Sequence, residues 1–329
     1  MQKRLVENSK VAFVSIMVTS CCMQRILHNS DNISVSEMLR LYSLFSDTEA
    51  SAEEPFRPCV KPLIDELSIG CMKNVRYGDT PVQIDLIDNA VEQRKNGVVV
   101  CFSGGKDSVA TAIKCRDMGY DVKLFHVHGI NHSYPDEVNR AKEIAEYLGM
   151  PLRIEKVKLS GKTAWQENPL KNQVIATMAI DWSDRNGYGH RLAFGDCRND
   201  QRECAIFGTN WTDTVEMWNA YSEYIRNDYL DSELLILFDN EFQTMDIVAK
   251  DRKLLEMVQG CIAPMRYRDY WRSKNIAKYG ADVLLPHRCG SCWKCCREYV
   301  HLADNGILPI NEKYYRKCMQ TLKKKEKEI

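Results

Sequence analysis

Two short stretches carry residue types that can do chemistry. The first is Ser103-Gly104-Gly105-Lys106-Asp107-Ser108, set directly after the apolar run Val98–Phe102. Adjacent glycines let the backbone come close to an anion, and a helix starting there aims its amides and the positive end of its dipole at the same place. Ser103 and Ser108 add hydroxyls and Lys106 adds a cation, so the stretch reads as a phosphate cradle. It is not a Walker loop, which needs Gly, four residues, then Gly-Lys-Ser/Thr. Val100 stands at the first glycine position and Asp107 follows the lysine. A carboxylate there suits a magnesium-bound pyrophosphate better than bare phosphate oxygens. The second stretch, CGSCWKC from Cys289, gives two CxxC steps sharing Cys292. Thiols at this density suit tetrahedral zinc or an iron–sulfur site. Cys289, Cys292 and Cys295 are three ligands. Cys296 and His287 are the nearest candidates for a fourth, and Cys261 or Cys318 could return from elsewhere.

The surrounding pattern must position these groups. Val98–Phe102 and Val122–Val127 read as short buried strands, and KDSVATAIKCRDMG between them has helical spacing and stops at Gly119. YPDEVNRAKEIAEYLGM is a second amphipathic helix, with Pro135 near its start and Gly149 past its end. PLRIEKV and RLAFG read as further strands. Strands alternating with such helices predict an α/β fold with a doubly wound parallel sheet over residues 96–260. Ligands then bind where strand carboxyl ends meet helix amino ends, which is where the glycine loop falls. Residues 1–95 form a mostly helical N-terminal extension, with VSEMLRLYSLF as a helix and SDTEASAEEPFRP as a polar break. Residues 261–329 hold the basic-aromatic stretch MRYRDYWRSKNIAKYG, the cysteine cluster and a charged helical tail.

Composition narrows the class. Lys+Arg and Asp+Glu both total 45, so no global field favours bulk nucleic-acid binding. The 14 cysteines form no loop-rich disulfide framework and point to a reducing, cytoplasmic setting. The apolar run VAFVSIMVTSCC is too short to span a bilayer and has no cleavage site after it, so a buried element is expected there and no membrane.

SGGKDS resembles the PP-loop of the ATP pyrophosphatase superfamily, whose fold is a doubly wound (HUP-like) sheet. Its members split ATP between the α and β phosphates and adenylate a carboxylate or carbonyl oxygen. Residues 96–300 are most similar to the 7-cyano-7-deazaguanine synthase family, through Pro264 before the RSKNIAKYG helix, the CGSCWKC zinc motif and Pro169-Leu170-Lys171-Asn172. WTDTVEMW matches that family's substrate loop from Asp213 to Trp218, with Thr214 and Val215 where the family has Cys and Arg. Lys171 likewise replaces an Arg. VHGINHSYPDEV resembles the segment after the second strand, with His128 and Gly129.

The resemblance implies ATP, Mg2+ and Zn2+ as cofactors. It implies ATP binding at Ser103, Gly104, Gly105, Lys106, Asp107, Ser108, His128, Gly129 and Asn172. Lys106, Asp107, Lys171 and Asp213 would act in the reaction. The expected partners are a deazapurine carboxylate and ammonia, with a homodimer expected from the family alone. A tRNA-thiolating relative and a non-catalytic ATP-binding scaffold are the alternatives, and nucleic acid or protein is the less favoured acceptor. Trp211 and Trp218 are read as core aromatics, and His126 and His128 as a buried, hydrogen-bonded pair on one strand face.

Overall fold

The computed structural model describes residues 14–15, 25–28, 33–46, 56–66, 95–130, 135–160, 170–198, 215–261, 263 and 265–326. Pro169, Asp213, Thr214, Trp211, Cys204 and Pro264 lie outside these residues, as does most of the VAFVSIMVTSCC run.

Five parallel strands make the central sheet. They are β3 (Gly97–Cys101), β4 (Asp121–His128), β5 (Leu152–Lys156), β7 (Arg191–Cys197) and β8 (Glu233–Phe238), in the order β5-β4-β3-β7-β8. Every residue of β3 is buried, as a central strand covered on both faces must be. Its side chains alternate. Val99 and Cys101 join the core on one face, and Val98 and Val100 the core on the other.

Helices cover both faces. α1 (Ile33–Ser46), α5 (Lys171–Arg185) and α6 (Val215–Ile225) bury Val35, Met38, Val174 and Tyr221 against Phe125 and Leu192. On the opposite face, α3 (Lys106–Asp117), α4 (Pro135–Leu148), α7 (Glu241–Ala249) and α8 (Arg252–Met257) bury Val109, Ile144, Val248 and Leu254. α9 (Met265–Tyr279), α10 (Trp293–Asp304) and α11 (Glu312–Glu326) complete the chain; Tyr299, Leu302 and Tyr314 join this second core. The predicted parallel α/β layering is therefore present, and within residues 96–260 it includes β8 and α7.

The described residues of the N-terminal extension hold both helix and strand. α1 and α2 (Lys61–Glu66) are present, but β1 (Val14–Ser15) and β2 (Arg25–His28) also pair antiparallel with β6 (Lys158–Ser160) in a separate small sheet. The extension is part of the fold's interior. Met38, Leu41, Phe56 and Leu63 share one core with the central sheet, and the buried Arg57 ties α1 to the turn after α6 through Glu37 and Asp228. Among the described residues, no helix is long and apolar enough to cross a membrane.

Candidate functional site

The chain leaves β3 at the centre of the sheet, goes to β4 and β5 on one side, and later to β7 and β8 on the other. The end of β3 is therefore the point where strand order reverses, and Ser103–Ser108 sits there. Gly104 has φ +73°, and a Cβ on it would lie 3.3 Å from the backbone of Ala141 in α4. Gly105 caps α3 with no side-chain hydrogen bond, leaving the helix entrance clear of any capping side chain. The hydroxyls brace the turn: Ser103 Oγ accepts from Gly105 N, and Ser108 Oγ accepts from Ser103 N, both at 3.2 Å. Gly195 of β7 is a further requirement that the motif does not contain. A Cβ there would meet Ser108 N at 2.8 Å, so only glycine lets the first turn of α3 lie against β7.

The two charged loop residues are held from outside the loop. Lys106 Nζ meets Asp107 Oδ1 at 2.6 Å and Glu241 Oε2 at 3.3 Å. Burial favours a neutral lysine, but Asp107 and Glu241 outweigh it and hold the ammonium above its usual range. Thr244 donates to Asp107 Oδ1 at 2.6 Å, and Arg297 of α10 pairs with the far oxygen of Glu241. Glu241 and Thr244 occupy the first turn of α7, whose N-cap Asn240 accepts from Phe242 N and Gln243 N. Sequence reading missed both, since an acidic residue after an N-cap is an ordinary helix start.

Four thiols come together at the other end of the segment that braces the loop. Cys261, Cys289, Cys292 and Cys295 have sulfurs all within 4.8 Å of one another, including Cys261–Cys292 at 3.9 Å and Cys289–Cys295 at 3.8 Å. A tetrahedral ion with bonds of about 2.3 Å needs sulfur–sulfur edges of about 3.8 Å. The cluster therefore fits one metal ion such as zinc, whereas several irons and sulfides would need wider spacing. Backbone amides point at the sulfurs: Ser291 N and Cys292 N donate to Cys289 Sγ at 3.3 and 3.2 Å, and Ala263 N to Cys261 Sγ at 3.4 Å. Hydrogen bonds from the Cys261, Cys292 and Cys295 thiols, with a smaller share from the Ser291 amide, push the Cys289 thiol well below its usual range. Gly290 makes the turn at φ +68°, where a Cβ would strike Leu284 at 2.6 Å.

This ligand set corrects two sequence expectations. Cys296 follows Cys295 on α10 and hydrogen-bonds Cys318 within the second core instead of joining the cluster. His287 has φ +59° and also stands outside it. Burial and the fields of Arg140, Arg268, Arg288 and Arg272 push that imidazole down to about 4.

Three residues connect the loop to the thiol cluster. Val258 O accepts from Arg288, Gln259 O accepts from Lys106 N at 3.3 Å, and Cys261 is one of the four thiols. Arg140 donates to the Gln259 side chain. Arg288, next to Cys289, pairs with Glu298 of α10 through two bonds of 2.6 Å.

The remaining predicted residues are less tightly gathered. α5 leads into β7, so Lys171 and Asn172 on its first turn lie at the sheet end where the strands finish. Gly129 is required by packing, because a Cβ would sit 2.0 Å from Val157 O. His126 is buried and its Nδ1 donates to Phe102 O at 2.8 Å, as the packed reading expects. His128 is half-buried and its Nδ1 has no hydrogen-bond partner among the described residues, so the reading holds for His126 alone. Trp218 is a core aromatic as expected, with Nε1 donating to Asp196 at 2.9 Å.

Scanned against models of known protein families, the chain matches none, and a search among curated proteins likewise returns no match.

Proposed function

We propose that the chain is an ATP-dependent adenylating enzyme of the PP-loop type. It would activate the carboxylate of 7-carboxy-7-deazaguanine, or a related deazapurine acid, for amide or nitrile formation with ammonia. The observation that carries this reading is the glycine loop at the reversal point of the sheet, with Lys106 and Asp107 held in place by Glu241 and Thr244.

The cradle fits a polyphosphate. Gly104 and Gly105 permit close backbone approach, and the entrance of α3 faces the same place. Lys106 is a compact point charge that can exchange a carboxylate for a phosphate oxygen, as a forked guanidinium exchanges less readily. Magnesium, when bound, would offset phosphate charge, and Asp107 is the residue to hold it, being about one-third exposed at 35%. A carboxylate oxygen of the acid attacks the α-phosphorus, the bond to the bridging oxygen breaks, and pyrophosphate leaves. Ammonia then adds to the acyl carbon, AMP leaves, and the extra proton passes to solvent, giving the amide. For a nitrile, a second ATP would adenylate the amide oxygen with loss of pyrophosphate, and AMP would then leave as both N–H protons pass to solvent. Positioning and charge stabilisation account for most of such a rate. The four-thiol site leaves no open position for substrate, so a metal there would be structural. Its single-ion spacing weighs against the thiolating alternative that relies on an iron–sulfur cluster.

The test combines protein, ATP, magnesium, ammonium and 7-carboxy-7-deazaguanine, reading pyrophosphate release and product mass. Acid-dependent pyrophosphate with an amide or nitrile product is expected, falling by about 100-fold or more in Lys106→Ala. Wild-type release equal to that of Lys106→Ala would overturn the assignment.

A further inference from the structure

α9 has two worked faces where a surface helix ordinarily has one. Its inner face carries Arg268, Arg272, Asn275, Ile276 and Tyr279, at i, i+4, i+7, i+8 and i+11. That face is anchored, with Asn275 donating to Cys289 O at 2.8 Å and Ser291 Oγ at 2.9 Å, on the turn of the metal cluster. Its outer face carries Tyr267, Tyr270, Trp271, Lys274 and Lys278, within an arc of about 100°.

The three rings on that arc are 50%, 51% and 42% exposed. The other large exposed aromatics among the described residues, Tyr147 and Phe242, stand singly elsewhere, beside Asp251 and His301. Tyr270 and Trp271 meet edge to face at 5.4 Å and 77°, and Lys274 Nζ lies 4.5 Å from the Tyr270 ring centre and 5.5 Å from that of Trp271. The edge-to-face contact and the Lys274 ammonium over both rings hold them in place at the surface, side by side with a cation.

The charge of the outer face is one-sided: it carries Lys274 and Lys278 and no acid, in a chain whose total charge is balanced. α11 passes its inner side, where Lys317 Nζ reaches Asn275 Oδ1 at 3.3 Å, and ends in Lys323, Lys324 and Lys325. Such a face repels a second copy of itself. It also suits a partner with flat aromatic groups as well as negative charge, which an acidic peptide lacks.

We propose that the outer face of α9 is a docking platform for single-stranded RNA, whose bases stack on Trp271, Tyr270 and Tyr267 while its phosphates meet Lys274 and Lys278. Stacking plus point cations is the general means of holding an unpaired strand. RNA presents unpaired bases in loops and bulges as a matter of course. The platform is independent of what the glycine loop does.

The experiment measures fluorescence anisotropy of a labelled 20-nucleotide mixed-sequence RNA with the full chain at low and high potassium chloride. Binding is expected, weaker at high salt. Tyr270→Ala with Trp271→Ala should weaken it by about tenfold or more with unchanged melting temperature, and Trp271→Phe should largely restore it. Lys274→Glu with Lys278→Glu should weaken it and flatten the salt dependence. Lys106→Ala should bind like wild type, which separates failure of this platform from failure of the adenylation reading. No binding at low salt, or binding indifferent to the aromatic pair, would overturn the proposal. So would loss of self-association rather than RNA binding in the aromatic variant.

Discussion

Arg57 and Lys106 are both buried cations, and each meets two carboxylates. Arg57 uses its whole fork: Nε to Glu37 at 2.6 Å, and the terminal nitrogens to Asp228 at 2.7 and 3.0 Å. Glu37 also accepts from the Arg57 amide, and Tyr224 donates to it. All three charged side chains are at most 7% exposed, so nothing can enter without dismantling the network. Lys106 is equally buried, but its partner Asp107 reaches solvent. A closed network fastens two parts of a chain together. An open one can trade a partner for a ligand, and its second anchor, Glu241 with Arg297, remains when it does. The difference lies in the exposure of one carboxylate, not in the number of ion pairs.

The largest effect expected from breaking this contrast comes from chelating a metal held by the four thiols. A structural tetrathiolate ion contributes on the order of 10 kcal/mol in small domains. Here its loss should pass to the open network through Gln259 and through α10, and not to the closed one. After chelation, hydrogen exchange should rise together in 258–261, 288–304 and 103–108 while 56–66 stays protected. Faster exchange confined to 287–296 would show that the loop does not depend on the cluster. Next in size, Arg57→Ala leaves Glu37 and Asp228 buried without their cation and should cost about 3–5 kcal/mol in urea unfolding. Pyrophosphate release per folded molecule should not change. A fall in release at unchanged stability would place Arg57 on the wrong side of the comparison. Smaller again, Thr244→Val removes one hydrogen bond to the open carboxylate. It should raise the magnesium needed for half-maximal release by about tenfold, the worth of a bond to a charged group. An unchanged magnesium titration would mean that Asp107 needs no outside support.

How much of this was legible in the sequence depended on how local the physics is. The glycine loop and the three thiols from Cys289 to Cys295 could be read because a turn and a helix entrance bring them together with no help from afar. β3 and β4 could be read because a strand buried on both faces has to be continuously apolar. Cys261 was only one of four options for the remaining ligand, since 27 residues lie between it and Cys289 and no periodicity reports how a chain returns. Cys296 looked like a ligand by proximity, yet consecutive helix positions point about 100° apart, and that rotation sends it to Cys318 in the core. Glu241, Thr244 and Arg297 were invisible for the same reason as Cys261. Gly195 gave no signal because its importance lies in what passes beside it.

His190 offers the finest test of what closure means, because it sits between the two extremes. Its Nε2 meets Asp184 at 2.6 Å and Nδ1 meets Asp231, and it packs against the Tyr229 ring. Burial alone would lower its pKa, but the hydrogen bonds to Asp184 and Asp231 prevail and raise it above 6.5. A group whose folded pKa is raised stabilises the fold fully below its unfolded value, and that contribution fades as pH climbs through the folded value. Melting temperature should therefore decline from about pH 6 upward, by an amount equivalent to under about 1 kcal/mol because Asp184 and Asp231 are open to solvent and screened. His190→Gln should remove this slope. If the slope survives the substitution, His190 is not its source. If it vanishes but had been several times steeper, the pair behaves like the closed Arg57 network despite its exposed carboxylates, and exposure of the acid would no longer be what separates a fastening from an exchangeable site.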